Sequence, residues 1–130
     1  MEEEYSAQFI KHATDRSNFT DMPGADGHAR VTGPCGDTVE IWLRVINDVI
    51  SRATYVTDGC SNSRAATSMA IELATGKTVA EARRVSKGDI IAALGGLKEE
   101  HCAELAARTL ETAVADYLET KRHPWKRTYR

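Results

Sequence analysis

Between Thr38 and Asn47 hydrophobic and polar positions alternate, with Val39, Ile41, Leu43 and Val45 on one face of an extended segment and Glu40, Trp42 and Arg44 on the other. Asn47-Asp48 is a turn signal, and Val49 to Thr57 returns with β-branched and aromatic residues, so the two segments predict an antiparallel hairpin. Ahead of it, Tyr5 to Ala13 places Phe9, Ile10 and Ala13 at helical spacing, and Thr14 to Gly33 reads as a long loop around one short strand near Ala29 to Thr32. After it the period changes to that of helices. Ser61 is the expected N-cap for Asn62 to Thr75, with Ala65, Met69, Ala70 and Leu73 as its apolar stripe and Gly76 as its stop. Thr78-Val79-Ala80-Glu81 has the form of a capping box and Ser86-Lys87-Gly88-Asp89 a looser version, each opening a short helix, with Gly95-Gly96 ending the second. The last helix is expected from about Lys98 to Lys121, its buried stripe running from Cys102 through Leu105, Ala106, Leu110, Ala113, Val114, Tyr117 and Leu118. No internal repeat or low-complexity segment interrupts this order.

Composition narrows the class. The 130 residues, 42% hydrophobic and 28% charged, suit one domain over 1–130 with a core that needs no disulfide staples. A formal net charge of -2 gives no global reason to expect nucleic acid as a partner. Met1-Glu2-Glu3-Glu4 is followed by no apolar run, so neither a secretory signal nor a membrane span is expected and the reading is cytoplasmic. The closing stretch 121–130 is basic with interleaved aromatics; Pro124 stops the helix there, and the expectation is a flexible, solvated end. Trp42, on the strand face away from the core, is expected either under the amino-terminal segment or in a contact patch.

The chain has three cysteines, an odd number suited to a reducing compartment. They stand in Gly33-Pro34-Cys35-Gly36-Asp37, in Asp58-Gly59-Cys60-Ser61 and in His101-Cys102. Cys35 precedes the first hairpin strand and Cys60 follows the second, so antiparallel pairing returns both to one end of the sheet. Cys60 and Cys102 lie at helix starts, where free N–H groups and the helix dipole are expected to favour a thiolate. If Cys102 packs on the same end, three sulfurs converge, and Asp37, two residues beyond Cys35, adds a carboxylate. Such a set suits tetrahedral zinc or an incomplete thiolate cage for an iron-sulfur cluster, the hard carboxylate holding the cluster loosely. The bland readings are a buried Cys102 acting as a small hydrophobe, an Asp37 capping a turn, a solvated Arg64 and a half-exposed His101. Two other classes stay open: a structural zinc protein using the same ligands, and a cysteine nucleophile acting in sulfur transfer. An enzyme of the latter kind needs a general base, and His12, His28, His101 and His123 show no partner motif beyond the adjacency to Cys102, so the chain is not read as an enzyme.

At these residues the chain resembles the U-type iron-sulfur cluster assembly scaffolds, including the amino-terminal domain of the nitrogenase-associated scaffold. The resemblance spans nearly the whole chain and rests on Cys35-Gly36-Asp37, Asp58-Gly59-Cys60, Thr75-Gly76-Lys77-Thr78-Val79-Ala80-Glu81-Ala82 and His101-Cys102 in that order. It implies an α+β fold with a three-stranded antiparallel sheet packed against several helices. It also implies assembly of a [2Fe-2S] cluster from iron and from sulfur supplied by a cysteine desulfurase, followed by transfer to apo iron-sulfur acceptor proteins, with one cluster shared in a homodimer left open. Carried over, it makes Cys35, Asp37, Cys60 and Cys102 the cluster ligands, with iron as the metal and zinc as a substitute. His101 becomes an alternate metal ligand, and Cys102 the first acceptor of persulfide sulfur. The family's Leu-Pro-Pro-Val-Lys segment, read by an Hsp70-type chaperone, is absent; Leu94-Gly95-Gly96-Leu97-Lys98 stands in its place and resembles the nitrogenase-type branch.

Overall fold

The computed structural model describes residues 6–123. Helix α1 (Ala7–Thr14) precedes strands β1 (Gly27–Thr32), β2 (Thr38–Ile46) and β3 (Val49–Thr57), and helices α2 (Ser61–Ala74), α3 (Val79–Ala82), α4 (Lys87–Leu94) and α5 (Glu100–Arg122) follow. The strands form an antiparallel sheet in the order β1-β2-β3. Asn47 and Asp48 both take positive φ (53° and 62°), the conformation that matches the twist of a two-residue hairpin. The register pairs Ile41 with Ala29 on one side and Tyr55 on the other, which puts the buried face of β2 in the middle of the sheet. Helices α2 and α5 cover that face, α1 packs on α2, and α4 fits against both long helices. The core is a single cluster running from Phe9 to Val114.

Local chemistry explains where elements begin. Both capping boxes form: Glu81 N donates to Thr78 Oγ1 at 3.1 Å and Thr78 N to Glu81 Oε1 at 3.0 Å, and Ser86 and Asp89 repeat the exchange. Helix α1 starts at Ala7 under a Ser6 cap, and its buried face is Phe9, His12 and Ala13; Ile10, expected on that face, is exposed. Strand β1 is longer than expected because Gly27 lets it run against α5: a Cβ there would lie 2.7 Å from Ala113 O. Helix α2 differs most, since ten of its fourteen residues are buried, including Asn62, Ser63, Thr67 and Ser68. The expected stripe is thus part of a helix enclosed on nearly all sides. Its N-cap is Cys60 rather than Ser61, and no side chain caps it.

Two further features position the site. Gly95 and Gly96 close α4 with φ of 77° and 115°. Proline is held near φ −65° by its ring, so a Pro-Pro pair has no place at this corner. At the opposite end of the sheet from the cysteines, Asp48 in the β2–β3 turn accepts bonds from Tyr117 Oη at 2.9 Å and Lys121 Nζ at 3.0 Å. Trp42 lies tilted against His28, ring centroids 5.3 Å apart, beside a hollow lined by Met22, Pro23 and Ala25, so the amino-terminal segment borders it. Among the described residues no helix is long and apolar enough to cross a membrane. Most of the basic stretch, from Pro124 on, lies outside the described residues.

Candidate functional site

Three elements meet at the end of the sheet where β2 begins. The first is the turn between β1 and β2. Gly33 N donates to Asp37 O at 2.8 Å and Gly36 N to Gly33 O at 3.0 Å, and Gly36 takes φ 95°, a value that a side chain would strain. This tight turn leaves Cys35 exposed at its tip and brings Asp37 in against the helices.

The second is the exit from β3. Thr38 N donates to Asp58 Oδ1 at 2.8 Å, Thr57 Oγ1 donates to Thr38 O at 2.7 Å, and Gly59 N donates to Thr57 Oγ1 at 3.1 Å. These bonds tie the end of β3 to the start of β2, so Gly59 and Cys60 pass directly beside Asp37. There is no room for a side chain at Gly59. A Cβ would sit 2.3 Å from Ser63 Oγ and 2.9 Å from Asp37 Oδ2, so this glycine is required by space where Gly36 is required by dihedral angle. Cys60 is exposed at the cap of α2, its Sγ 3.8 Å from Asn62 Nδ2.

The third is the first turn of α5, seated where Leu105 packs against Gly33. Cys102 is 2% exposed and opens the buried stripe of the helix. Burial pushes its thiol above the usual range; the bond with Ser63 pulls it down, and Cys60, Asp37 and Cys35 push it up further. The expectation of a thiolate at this helix start is therefore corrected. Desolvation of a nearly enclosed sulfur outweighs the dipole of a helix terminus, whose effect is modest. His101, one residue earlier, points the other way: it is 45% exposed, with Nδ1 3.5 Å from Glu99 Oε1.

Between Asp37 and Cys102 stands a residue that the sequence did not single out. Ser63 Oγ lies 3.3 Å from Asp37 Oδ2 and 3.4 Å from Cys102 Sγ, and the serine is 1% exposed. Its signal was the spacing: three residues after a helix cap, a side chain returns to the face of the cap.

Asp37 and Cys102 are thus brought together through one hydroxyl, and Cys35 and Cys60 are near enough to act electrostatically on Cys102. His101 is not drawn in. Among the described residues no group of three His, Cys, Asp or Glu side chains already stands as a metal cage. The donor set is nonetheless chemically suited to a thiophilic ion or cluster, with three soft sulfurs and one hard oxygen at one end of a sheet. Two of the sulfurs, those of Cys35 and Cys60, are exposed.

The family model of the NifU-like N terminal domain matches residues 4–124. The chain belongs to this family. A protein named iron-sulfur cluster assembly scaffold protein IscU 1, from Archaeoglobus fulgidus, is 37% identical over 117 residues, which cover 88% of this chain and 76% of that protein. The scaffold protein IscU of Aquifex aeolicus is 33% identical over 123 residues, covering 91% and 78%. Among solved structures, the amino-terminal part of a nitrogen-fixing NifU-like protein from Brucella abortus superposes with a TM-score of 0.72 at 14% identity, covering 88% of this chain and 94% of that one. At that identity the likeness speaks for the fold alone, and the α+β architecture with its three-stranded antiparallel sheet is the one these NifU-like domains share.

Proposed function

We propose that this chain is a scaffold on which an iron-sulfur cluster of the [2Fe-2S] type is assembled and then handed to apo-proteins. Iron and sulfur are its substrates, the sulfur coming from a cysteine desulfurase. What supports the reading is 37% identity to a protein named as an iron-sulfur cluster assembly scaffold, together with the location of Cys35, Asp37, Cys60 and Cys102, from three separate elements, toward one end of the sheet. In this reading the three thiolates grip the cargo and the carboxylate of Asp37 is the weak corner, since a hard oxygen is a poorer partner for iron in a cluster than sulfur. That weakness suits a protein that must let go. Zinc fits the same four donors and acts as a substitute occupant. His101 stands ready outside the cage as an alternate ligand at the moment of transfer, and Gly95-Gly96 offers no Pro-Pro segment to a chaperone.

Anaerobic incubation of the full chain with ferrous iron, cysteine, a desulfurase and excess dithiothreitol tests this, the thiol and the iron together supplying the electrons that turn persulfide sulfur into sulfide. The expected result is a brown protein with sulfur-to-iron charge-transfer bands, which fade as an apo-ferredoxin added in stoichiometric amount gains them. A colourless protein that holds one zinc tightly and takes up no iron or sulfide would overturn the scaffold in favour of a structural zinc site.

A further inference from the structure

We infer that Ser63 is a positioning residue for the cargo site, its hydroxyl holding the Asp37 carboxylate in place beside Cys102 for an occupant. The inference rests on the scaffold reading above and names a residue outside its four ligands. Ser63 is enclosed in the first turn of α2, and its single oxygen is within hydrogen-bonding distance of both the Asp37 carboxylate and the Cys102 sulfur. The bonding is directional. Ser63 Oγ donates its one proton to Asp37 Oδ2, so toward Cys102 the oxygen is left to accept from the thiol; that contact ends when the sulfur gives up its proton to ligate, and the bond to Asp37 stays. This leaves Asp37 Oδ1 free of Ser63, so the carboxylate can offer one oxygen outward while the other stays tied. Hydrogen-bonded partners behind a ligating carboxylate fix its orientation, and their loss typically weakens metal binding roughly 10–100-fold.

Gly59 supports the same reading from the backbone side. The chain passes so close that any Cβ at this position would strike Ser63 Oγ, Ser63 Cβ and Asp37 Oδ2. The hydroxyl therefore has the glycine on one side and Asp37 and Cys102 on the others. A serine required only for helix packing would tolerate alanine, which has the higher helix propensity and lacks only one oxygen.

The test is an anaerobic titration of the full-length, metal-free chain with Co²⁺, whose thiolate charge-transfer and d–d bands report the ligands and the geometry. Wild type, Ser63→Ala, Asp37→Ala and the double variant are compared, with melting curves run alongside to establish that each is folded. Ser63→Ala is expected to bind roughly 10–100-fold more weakly, with its d–d bands displaced and its thiolate intensity kept. The double variant is expected to bind no more weakly than Asp37→Ala alone, because the hydroxyl acts through that carboxylate. Unchanged affinity and bands in Ser63→Ala would overturn the inference, and so would losses that simply add in the double variant. Failure of wild type to develop thiolate bands would instead bring down the scaffold reading and this inference with it.

Discussion

The three cysteines are chemically alike in the sequence and unlike in the fold. Cys35 and Cys60 are exposed, whereas Cys102 is enclosed and its thiol is pushed up chiefly by burial. Only the thiolate reacts with alkylating agents, and only where the reagent can reach it. In the metal-free protein at pH 8, iodoacetamide is thus expected to label Cys35 and Cys60 at least several-fold faster than Cys102, followed peptide by peptide by mass spectrometry; equal rates would contradict the enclosed thiol. The same enclosure puts Cys102 behind the exposed pair for any reagent arriving from solution. Gly59 is the other residue on which the site turns. Gly59→Ala forces a methyl group into Ser63 and Asp37, an overpacking expected to cost about 1–3 kcal/mol and to weaken cobalt binding as well. Urea unfolding with and without metal measures both effects; a Gly59→Ala protein as stable and as avid as wild type would show that the turn gives way freely.

At the scale of elements, α1 is held by a buried histidine. His12 Nδ1 is 2.7 Å from Ser68 Oγ on α2 and Nε2 is 3.2 Å from Glu72 Oε1. Burial lowers its pKa below the ordinary 6.5, against the opposing pull of Glu72, with Lys11 adding to the lowering. A depressed value means that, below pH 6.5, the unfolded chain takes up a proton that the folded chain resists, so this contribution is complete above that pH and is lost as pH falls through the depressed value. The protection factors of α1 amides, which take out the intrinsic slowing of exchange at lower pH, are expected to fall between pH 7.5 and pH 5.5, and His12→Gln should flatten that dependence; a variant as pH-sensitive as wild type would place the effect elsewhere. How far the sequence foretold these elements follows from which forces are local. The hairpin turn at Asn47-Asp48 and both capping boxes are contests settled within four residues, and they formed as expected. The buried stripe beginning at Cys102 was equally plain in the 3.6-residue period. The burial of Ser63, Thr67 and Ser68 was not, because small polar residues carry no hydrophobic signal and α2 is enclosed only once α1, α4 and α5 have packed around it. Ile10 is exposed and His12 buried for a similar reason: hydrophobicity favours burying isoleucine, and the Ser68 hydroxyl that partners the imidazole stands on another helix. In the site itself, strand pairing foretold that Cys35 and Cys60 share an end, while the hydroxyl between Asp37 and Cys102 depends on how two distant elements dock.

For the whole molecule, the ligands proposed for the cargo come from the β1–β2 turn, the β3–α2 corner and the start of α5. The unfolded chain does not hold them together, so an occupant stabilises the fold by mass action, by about 2.7 kcal/mol at a hundred times its Kd. For a domain of this size that corresponds to on the order of 10 °C in Tm. Melting curves of metal-free and zinc-saturated protein check this, and identical curves would mean that zinc ties nothing together. The anchor at the far end of α5 gives the helix a second meaning. Lys121 and Tyr117 grip the exposed Asp48, and these hydrogen bonds, that of Lys121 first, keep the carboxyl below its ordinary range and therefore charged. Cys102 sits about 28 Å away along a continuous rod. The rod is also seated along its length, where Leu105 packs on Gly33 and Ala113 and Tyr117 close on Gly27, and the grip at Asp48 is the outermost of these holds, a pivot at the end of the helix. Asp48→Ala is expected to free the pivot and hasten alkylation of Cys102 several-fold while leaving Cys35 and Cys60 as they were; unchanged Cys102 labelling would mean that the grip at Asp48 does not restrain it. Access to the enclosed sulfur is then governed in part from the far end of its own helix, at a turn that carries none of the cysteines.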